Sequence, residues 1–506
     1  MSSSITASQL YSHLSCPHRV AKDTFGDPRD RDQVSPFVQM LWERGTLFER
    51  DVIGVLGQPI TDLSALTGPE KEAATRAAIQ RGDTLIYSGR LSVDELLGEP
   101  DLLRREGGGY AAIDIKSGSA QEGGGEGDDP NGTLDHQHGK LKKHYGVQIA
   151  LYTDILHLIG HAAGRYGYIW DIHGEEVRYD LDSPLGPRSP SMWEIYLETW
   201  QAVSETLAKT VHTRPAAASV CKLCVWRSSC FREMKACQDL TLLPELGRAR
   251  RDALSDQFPT LNSLAQGSVD RFIHGHKTDF PGIGAGTLRK FKARAELAVA
   301  LKPVPFLTHS VNWPSATCEL FFDIETDPMR GLCYLHGFVI REAGNSQTER
   351  FEGIFAQDIS PDAEKRAYAA AVAVFRRYPS AVVIHYSKYE RTEYRRLQKK
   401  YPDVAGVAEI EALFQSPRAF DLYSDVIRPY SEWPTLDFSI KSIATACGFA
   451  WRDADPSGAS SIEWFDQWVK TRNPAYYRRL LDYNEDDCRA MRVVLDTAKT
   501  LKANTG

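Results

Sequence analysis

A chain of 506 residues with 42% hydrophobic and 25% charged side chains is long enough for two to four globular domains, and none of its apolar runs approaches a membrane span. Its net charge of -7 excludes a protein that holds polyanions by bulk positive charge, so a nucleic-acid site must be a local basic patch or one where bound metal brings the charge. The N-terminus, MSSSITASQL, has no basic stretch ahead of an apolar core, which predicts a cytoplasmic protein with no membrane partner. In that compartment nine unevenly spaced cysteines suggest metal ligation and buried thiols, not a disulfide frame.

In chain order, residues 4–20 predict an amphipathic helix with Leu10, Leu14 and Cys16, followed at once by Pro17. Residues 37–56 predict a second, with Leu41, Gly45, Phe48, Val52 and Val55 as its apolar stripe and Glu49 interrupting it. The stretch 98–118, GEPDLLRREGGGYAAIDIKSG, reads as a β-hairpin with Asp101 on its first arm and Asp114 and Lys116 on its second. Strand positions two apart share a face, so the two acids and the lysine converge. Two carboxylates suit an oxygen-loving divalent cation, and an ammonium beside them suits work on water or on phosphate charge. Taken alone, these residues fit a solvated hairpin with a surface ion pair better. The glycine- and acid-rich segment 118–139 predicts a loop. A helix over 140–160 places Gln148 and Tyr152 on one face, a second hairpin turns about His173 and Gly174, and a helix follows over 191–211. The run CKLCVWRSSC then supplies Cys221, Cys224 and Cys230, with Cys16 the obvious fourth ligand if the two ends of the domain meet. Four thiolates suit zinc or a [4Fe-4S] cluster, and spacing does not choose between them.

The order CPHR at Cys16, GTLFE ending at Glu49, GEPD ending at Asp101, DIK from Asp114 to Lys116, QIALY from Gln148 to Tyr152 and the cysteine triplet resembles a known family. It is similar to the RecB-like nuclease domain of the PD-(D/E)XK superfamily, in the iron-sulfur form shared by CRISPR-associated RecB-like exonucleases and AddB-type nucleases. The resemblance covers about the first 235 residues. It implies a restriction-endonuclease-like core, a 4Fe-4S cluster on Cys16, Cys221, Cys224 and Cys230, and a Mg²⁺ or Mn²⁺ site on Glu49, Asp101 and Asp114. Lys116, Gln148 and Tyr152 complete the implied catalytic set. A histidine is common where Glu49 stands, and glutamate still ligates a hard cation.

Residues 238–302 predict short helices with no strong strand. FPGIGAGTLRKFKARA, with Gly282 and Gly284 before a basic helix, resembles the helix-hairpin-helix motif, in which a turn offers backbone N–H groups to a phosphate. A weaker first copy starts at Leu243. Arg289, Lys290, Lys292 and Arg294 are then the expected backbone contacts; a helical linker with a solvated basic face is the plainer alternative.

Beyond it, CELFFDIETDP predicts a buried strand that ends in Asp323 and Glu325. A strand YLHGFVI, a helix over 361–378, the strand AVVIHYS and a charged helix near Tyr389 with Glu390 at its start follow. In YYRRLLDYNEDDCRAMRVVL, Tyr483 and Asp487 lie one helical turn apart. This order resembles the ribonuclease H-like fold of DnaQ-type 3′ to 5′ exonucleases, especially the YprB-like branch, over residues 315–500. The resemblance implies two Mg²⁺ or Mn²⁺ ions on Asp323, Glu325, Glu390 and Asp487, with Tyr483 orienting the nucleophile. Most DnaQ-like enzymes have aspartate where Glu390 stands, which leaves Asp421 as a substitute ligand or a strand-end acid.

The expected protein is therefore an α/β multidomain nuclease. It comprises a RecB-like domain with an iron-sulfur cluster (1–237), a helix-hairpin-helix DNA-binding segment (238–302) and a ribonuclease H-like exonuclease domain (303–506). DNA with single-stranded ends or flaps is the expected substrate. RNA processing, or a nucleic-acid-binding factor with an inert C-terminal site, are the alternatives. No Gly-Lys-Ser/Thr phosphate loop is evident, so unwinding would fall to a separate helicase.

Overall fold

The computed structural model describes residues 4–122, 140–186 and 188–503. The chain divides into two units, Met1–Pro215 with Ser219–Cys230, and Ala216–Ala218 with Phe231–Gly506; the helical segment 238–302 thus falls in the same unit as the C-terminal sheet. No helix among the described residues is long and apolar enough to cross a membrane.

In the first unit, the helix expected over 4–20 is two helices, Ala7–Ser15 and Pro17–Phe25, with Cys16 extended between them (φ -161°, ψ 102°). Proline lacks the N–H that would continue the first helix and drives the residue before it out of the helical region, so the break falls at Cys16. A six-stranded mixed sheet follows, in the order Glu176–Asp180, Tyr166–Trp170, Gly109–Ile115, Leu102–Glu106, Leu85–Tyr87, Thr61–Asp62. Both predicted hairpins form as antiparallel pairs within it, beside a third between Leu85–Tyr87 and Leu102–Glu106, and the strand Gly109–Ile115 is buried at every residue. The helix Lys143–Leu158 covers the sheet with Val147, Ile149, Ala150, Leu151 and Ile155. The helix Pro36–Val55 lies where residues 37–56 predict it, but its buried stripe differs from the expected one. Val55 is 75% exposed, and the helix packs through Phe48, Val52 and Ile53 onto Leu85, Leu102 and Ile113. It contacts the sheet over its C-terminal half, where Leu47 and Val55 face water, while Met40 in its N-terminal half is buried and Trp42 beside it is exposed. Of the predicted loop, residues 123–139 lie outside the described residues; Gln121–Glu122 and Lys140–Leu141 pair at its base.

In the second unit the helices Gly247–Leu254, Leu261–Gln266 and Ala285–Val299 form the middle segment. A two-rung strand pair, Ile273–His274 with Lys277–Thr278, stands before the glycine turn where a helix-hairpin-helix would have its first helix. Thr278 explains the pairing: its hydroxyl donates to Ile283 O (2.6 Å), tying the strand to the turn itself. The C-terminal sheet has five strands in the order Asn345–Phe355, Leu332–Glu342, Cys318–Asp327, Val382–His385, Ala419–Asp421, the first three antiparallel and the last two added in parallel. The central strand Cys318–Asp327 is apolar on both faces because helices cover both. Phe322 packs with Phe338, Phe375 and Tyr394 on one side, and Phe321 with Val494 and Leu495 of the long helix Pro474–Thr500 on the other. The predicted strands and helices of this region all form, at Pro361–Arg377, Tyr389–Lys400 and Pro474–Thr500 among them.

Candidate active sites

In the first unit, Leu102 pairs with Ile113 across the hairpin, which sets Asp101 beside Asp114. Asp101 Oδ2 accepts from the Ile115 amide at 2.7 Å, and Lys116 Nζ lies 2.8 Å from Asp114 Oδ2. Asp114 is 1% exposed, so the solvated surface pair that the sequence also allows is not what forms. Burial, and then the negative charge of Asp114, push the Asp101 carboxyl up to about 8, with Lys116 pulling the other way. Burial disfavours the Lys116 ammonium, but Asp114 and Asp101 outweigh it and raise its pKa. Glu49 accepts from the Tyr87 hydroxyl at 2.9 Å and adds its charge to those acting on Asp101. Tyr152 is buried; its phenol is raised by burial and then by Asp114 and Asp101, so it faces the same pair. Gln148 stands one turn before it, with Oε1 buried and without a hydrogen bond among the described residues. Three acids around one lysine leave a deficit of positive charge, which fits a hard cation.

Cys16 caps the helix Pro17–Phe25, and the cysteine triplet lies against that helix. Lys22 Nζ is 3.2 Å from Ser229 Oγ, the Trp226 indole donates to Asp23 (2.6 Å), and the Asp32 amide donates to Val225 O (2.7 Å). The expected meeting of the domain's two ends thus occurs. Burial raises the Cys224 thiol, and Cys16 is among the negative groups that raise it further. Cys16 and Cys224 thus lie near enough to interact, with Cys221 and Cys230 on either side of Cys224 in the chain.

In the second unit, Asp323, Glu325 and Asp487 bring one carboxylate oxygen each to within 4.8 Å of one another. Asp323 and Glu325 point from one face of the central strand, and the long helix delivers Asp487 with Tyr483 one turn before it. All four line a cavity of about 300 Å³ with Thr326, Pro328, Tyr389, Gly458 and Ile462. Burial raises the carboxyls of Asp323 and Glu325; repulsion from Asp487 adds to it at Asp323, and repulsion from Asp323 and then Asp487 at Glu325, the state a divalent cation relieves. Glu390 is placed differently. It is buried beside His385 (3.8 Å), its Oε2 has no hydrogen bond among the described residues, and burial followed by Asp323 raises its carboxyl; it senses the triad without lining the cavity. Asp421 takes three amide donors, Ser387 (2.8 Å), Tyr423 (3.0 Å) and Ser424 (3.1 Å), and so organises the turn at its strand end.

Three further residues serve this cavity, and only Asn484, next to Tyr483 in the chain, lies beside a sequence motif. Asn484 donates to Asp323 Oδ2 (2.8 Å), the Trp451 indole donates to Asp487 Oδ1 (2.7 Å), and Lys441 Nζ reaches both Tyr483 and Asp487. Asn484 adjoins Tyr483 and was within reach of motif reasoning. Lys441 and Trp451 come from chain segments that only the fold brings near.

The basic residues of the helix Ala285–Val299 are engaged inside their own unit. Arg289 pairs with Asp270 (3.2 Å), Lys290 with Glu432 (3.8 Å) and Lys292 with Glu296 (2.8 Å). Arg294, expected as a phosphate contact, is 2% exposed and donates to Glu432 (2.6 Å) and to Pro244 O (2.7 Å); a buried guanidinium cannot touch a phosphate backbone. Gly282 adopts φ +73°, which only glycine takes readily, and Gly284 precedes the helix as its N-cap.

Comparison with known proteins assigns residues 320–499 to RNase_H_2, of the RNase_H superfamily. The match spans the carboxylate triad, Tyr483, Glu390, Lys441 and Asn484. No curated protein matches the chain.

Proposed function

We propose that the protein is a metal-dependent nuclease with two different hydrolytic sites, acting on DNA with single-stranded ends or flaps. The observation that carries this reading is the triad Asp323, Glu325 and Asp487 gathered at a cavity of about 300 Å³ within an RNase H superfamily domain. In the first unit the reading rests on the buried Asp114 with the half-buried Asp101 and Lys116 beside it, on Glu49, Gln148 and Tyr152, and on their order in the chain, which resembles RecB-like PD-(D/E)XK nucleases.

Asp323, Glu325 and Asp487 would hold Mg²⁺ or Mn²⁺ in the second unit, and Asp101, Asp114 and Glu49 in the first. Bound there, the ion supplies Lewis acidity and a nucleophilic water of lowered pKa. The chain's own residues do the remaining work. Tyr483 presents its phenol to the cavity next to Asp487 and orients the attacking water. Asn484 holds Asp323 in one rotamer. Lys116, kept protonated by the two aspartates beside it, offsets charge that develops on the phosphate. Cys16, Cys221, Cys224 and Cys230 would hold a 4Fe-4S cluster that ties the first helices to the end of the same unit.

The test is a digestion panel of end-labelled single-stranded DNA, duplex, flap and RNA with Mg²⁺ or Mn²⁺. Release of nucleotides or short oligomers from DNA ends, lost on chelation, is the expected result; cleavage of RNA alone would move the reading to RNA processing. The second reading, an inert C-terminal site that binds nucleic acid, is favoured by the placement of Glu390 away from the cavity lining.

A further inference from the structure

We propose that Lys441 is a positioning residue of the C-terminal site, which clamps Tyr483 and Asp487 in their working places and holds divalent-cation affinity below what the carboxylates alone would give. The inference rests on the reading of that site as hydrolytic and goes beyond it in assigning a residue to the reaction. Lys441 is the second residue of the helix Ile440–Ala446, far along the chain from both groups it serves. Its Nζ donates to the Tyr483 hydroxyl oxygen at 2.9 Å and lies 3.2 and 3.3 Å from the two oxygens of Asp487. The ammonium also sits over two aromatic rings, 4.8 Å from the Tyr483 centroid and 5.3 Å from that of Trp451. Trp451 donates to the same Asp487 oxygen that Lys441 approaches more closely, Oδ1.

Two consequences follow from this geometry. A cation that touches one triad carboxylate and is held by two ring faces cannot drift away easily, so it fixes the phenol and the carboxylate against each other, one helical turn apart. A divalent ion that uses Asp487 must also bind beside a unit positive charge, and that repulsion lowers its affinity. Removal of the ammonium therefore pushes binding and turnover in opposite directions. A residue with a merely structural role would weaken both.

The experiment uses the full chain carrying Asp114→Ala, which silences the first unit's site, with Lys441→Met, Lys441→Arg and Asp323→Ala added separately. Mn²⁺ affinity is measured by calorimetry and single-turnover cleavage on an end-labelled oligonucleotide. Lys441→Met is expected to bind Mn²⁺ about tenfold more tightly while cleaving about 10- to 100-fold more slowly. Lys441→Arg, which keeps the charge, should return Mn²⁺ affinity to within about threefold of the parent and recover part of the rate. The side chain is 30% exposed, so neither change empties a core. Weaker or unchanged Mn²⁺ binding by Lys441→Met, or cleavage at the parent rate, overturns the proposal. The underlying reading fails by a different sign: Asp323→Ala then alters neither Mn²⁺ binding nor cleavage.

Discussion

Asp101 keeps a proton in the folded chain at pH values where a solvated aspartate has lost it, because burial and Asp114 raise its pKa from 3.8 to about 8. The folded state therefore binds that proton more tightly than the unfolded state does. The resulting stabilisation is complete below the unfolded pKa and is lost as pH rises toward about 8. A cation at Asp101 and Asp114 competes with the proton, so Mg²⁺ should raise the melting temperature more at about pH 8.5 than at about pH 6. Thermal melts with and without Mg²⁺ check this, and Asp101→Asn should abolish the difference; an equal gain at both pH values would refute the assignment. Gly337 supports a second prediction. It lies opposite Asp323 in the sheet, and a Cβ there would stand 1.6 Å from Asn484 Oδ1. Gly337→Ala must therefore displace the side chain that holds Asp323, at a cost of roughly 1–3 kcal/mol and with loss of cleavage at the C-terminal site. Denaturant melts beside kinetics give both readouts, and Asn484→Ala should reproduce the kinetic part with a smaller loss of stability.

At the level of elements, the helix Ala285–Val299 shows where sequence reasoning stops. Its spacing gives a basic helix after a glycine turn, and that helix forms, but spacing cannot show that Arg294 finds Glu432 138 residues away. Both side chains of that pair are almost fully buried, and removal of Glu432 leaves the buried Arg294 with only the longer pair to Glu245 at 3.3 Å. Glu432→Ala should cost about 3–5 kcal/mol, while Arg294→Met with Glu432→Leu should cost much less, because the only charge then left without Glu432 is the partly exposed Lys290. Equal losses in the two variants, read by denaturant unfolding, would count against this account. The hairpin with Asp101, Asp114 and Lys116 was legible because strand alternation and a glycine turn specify which side chains meet. The strand with Asp323 and Glu325 was legible because acids that end an apolar run need a reason. Lys441 was not, since no local pattern links it to Tyr483, and the exposed side of the helix Pro36–Val55 was not, since an apolar stripe does not reveal how much of it the sheet can cover.

At the scale of the whole molecule, the two proposed sites have no residue in common: Asp101, Asp114 and Lys116 belong to one unit and Asp323, Glu325 and Asp487 to the other. Removal of a proposed metal ligand from one site should leave the chemistry of the other intact, because groups without shared partners act additively. Asp114→Ala should therefore erase one set of products and Asp323→Ala another, and only the double variant should be silent. The placement of Glu390 sharpens the test. It stands buried beside His385 and not at the cavity, so the C-terminal site works with the triad alone or draws Glu390 forward when a cation arrives. In the first case Glu390→Gln cleaves at close to the parent rate; in the second it falls toward the level of Asp323→Ala, because two-metal geometry tolerates only small errors in ion spacing. Product mapping from both labelled ends of one oligonucleotide separates these outcomes. If Asp114→Ala alone stops all cleavage on every DNA and RNA substrate, the RNase H superfamily domain serves as a binding platform for the first unit's nuclease, and the two-site account is lost.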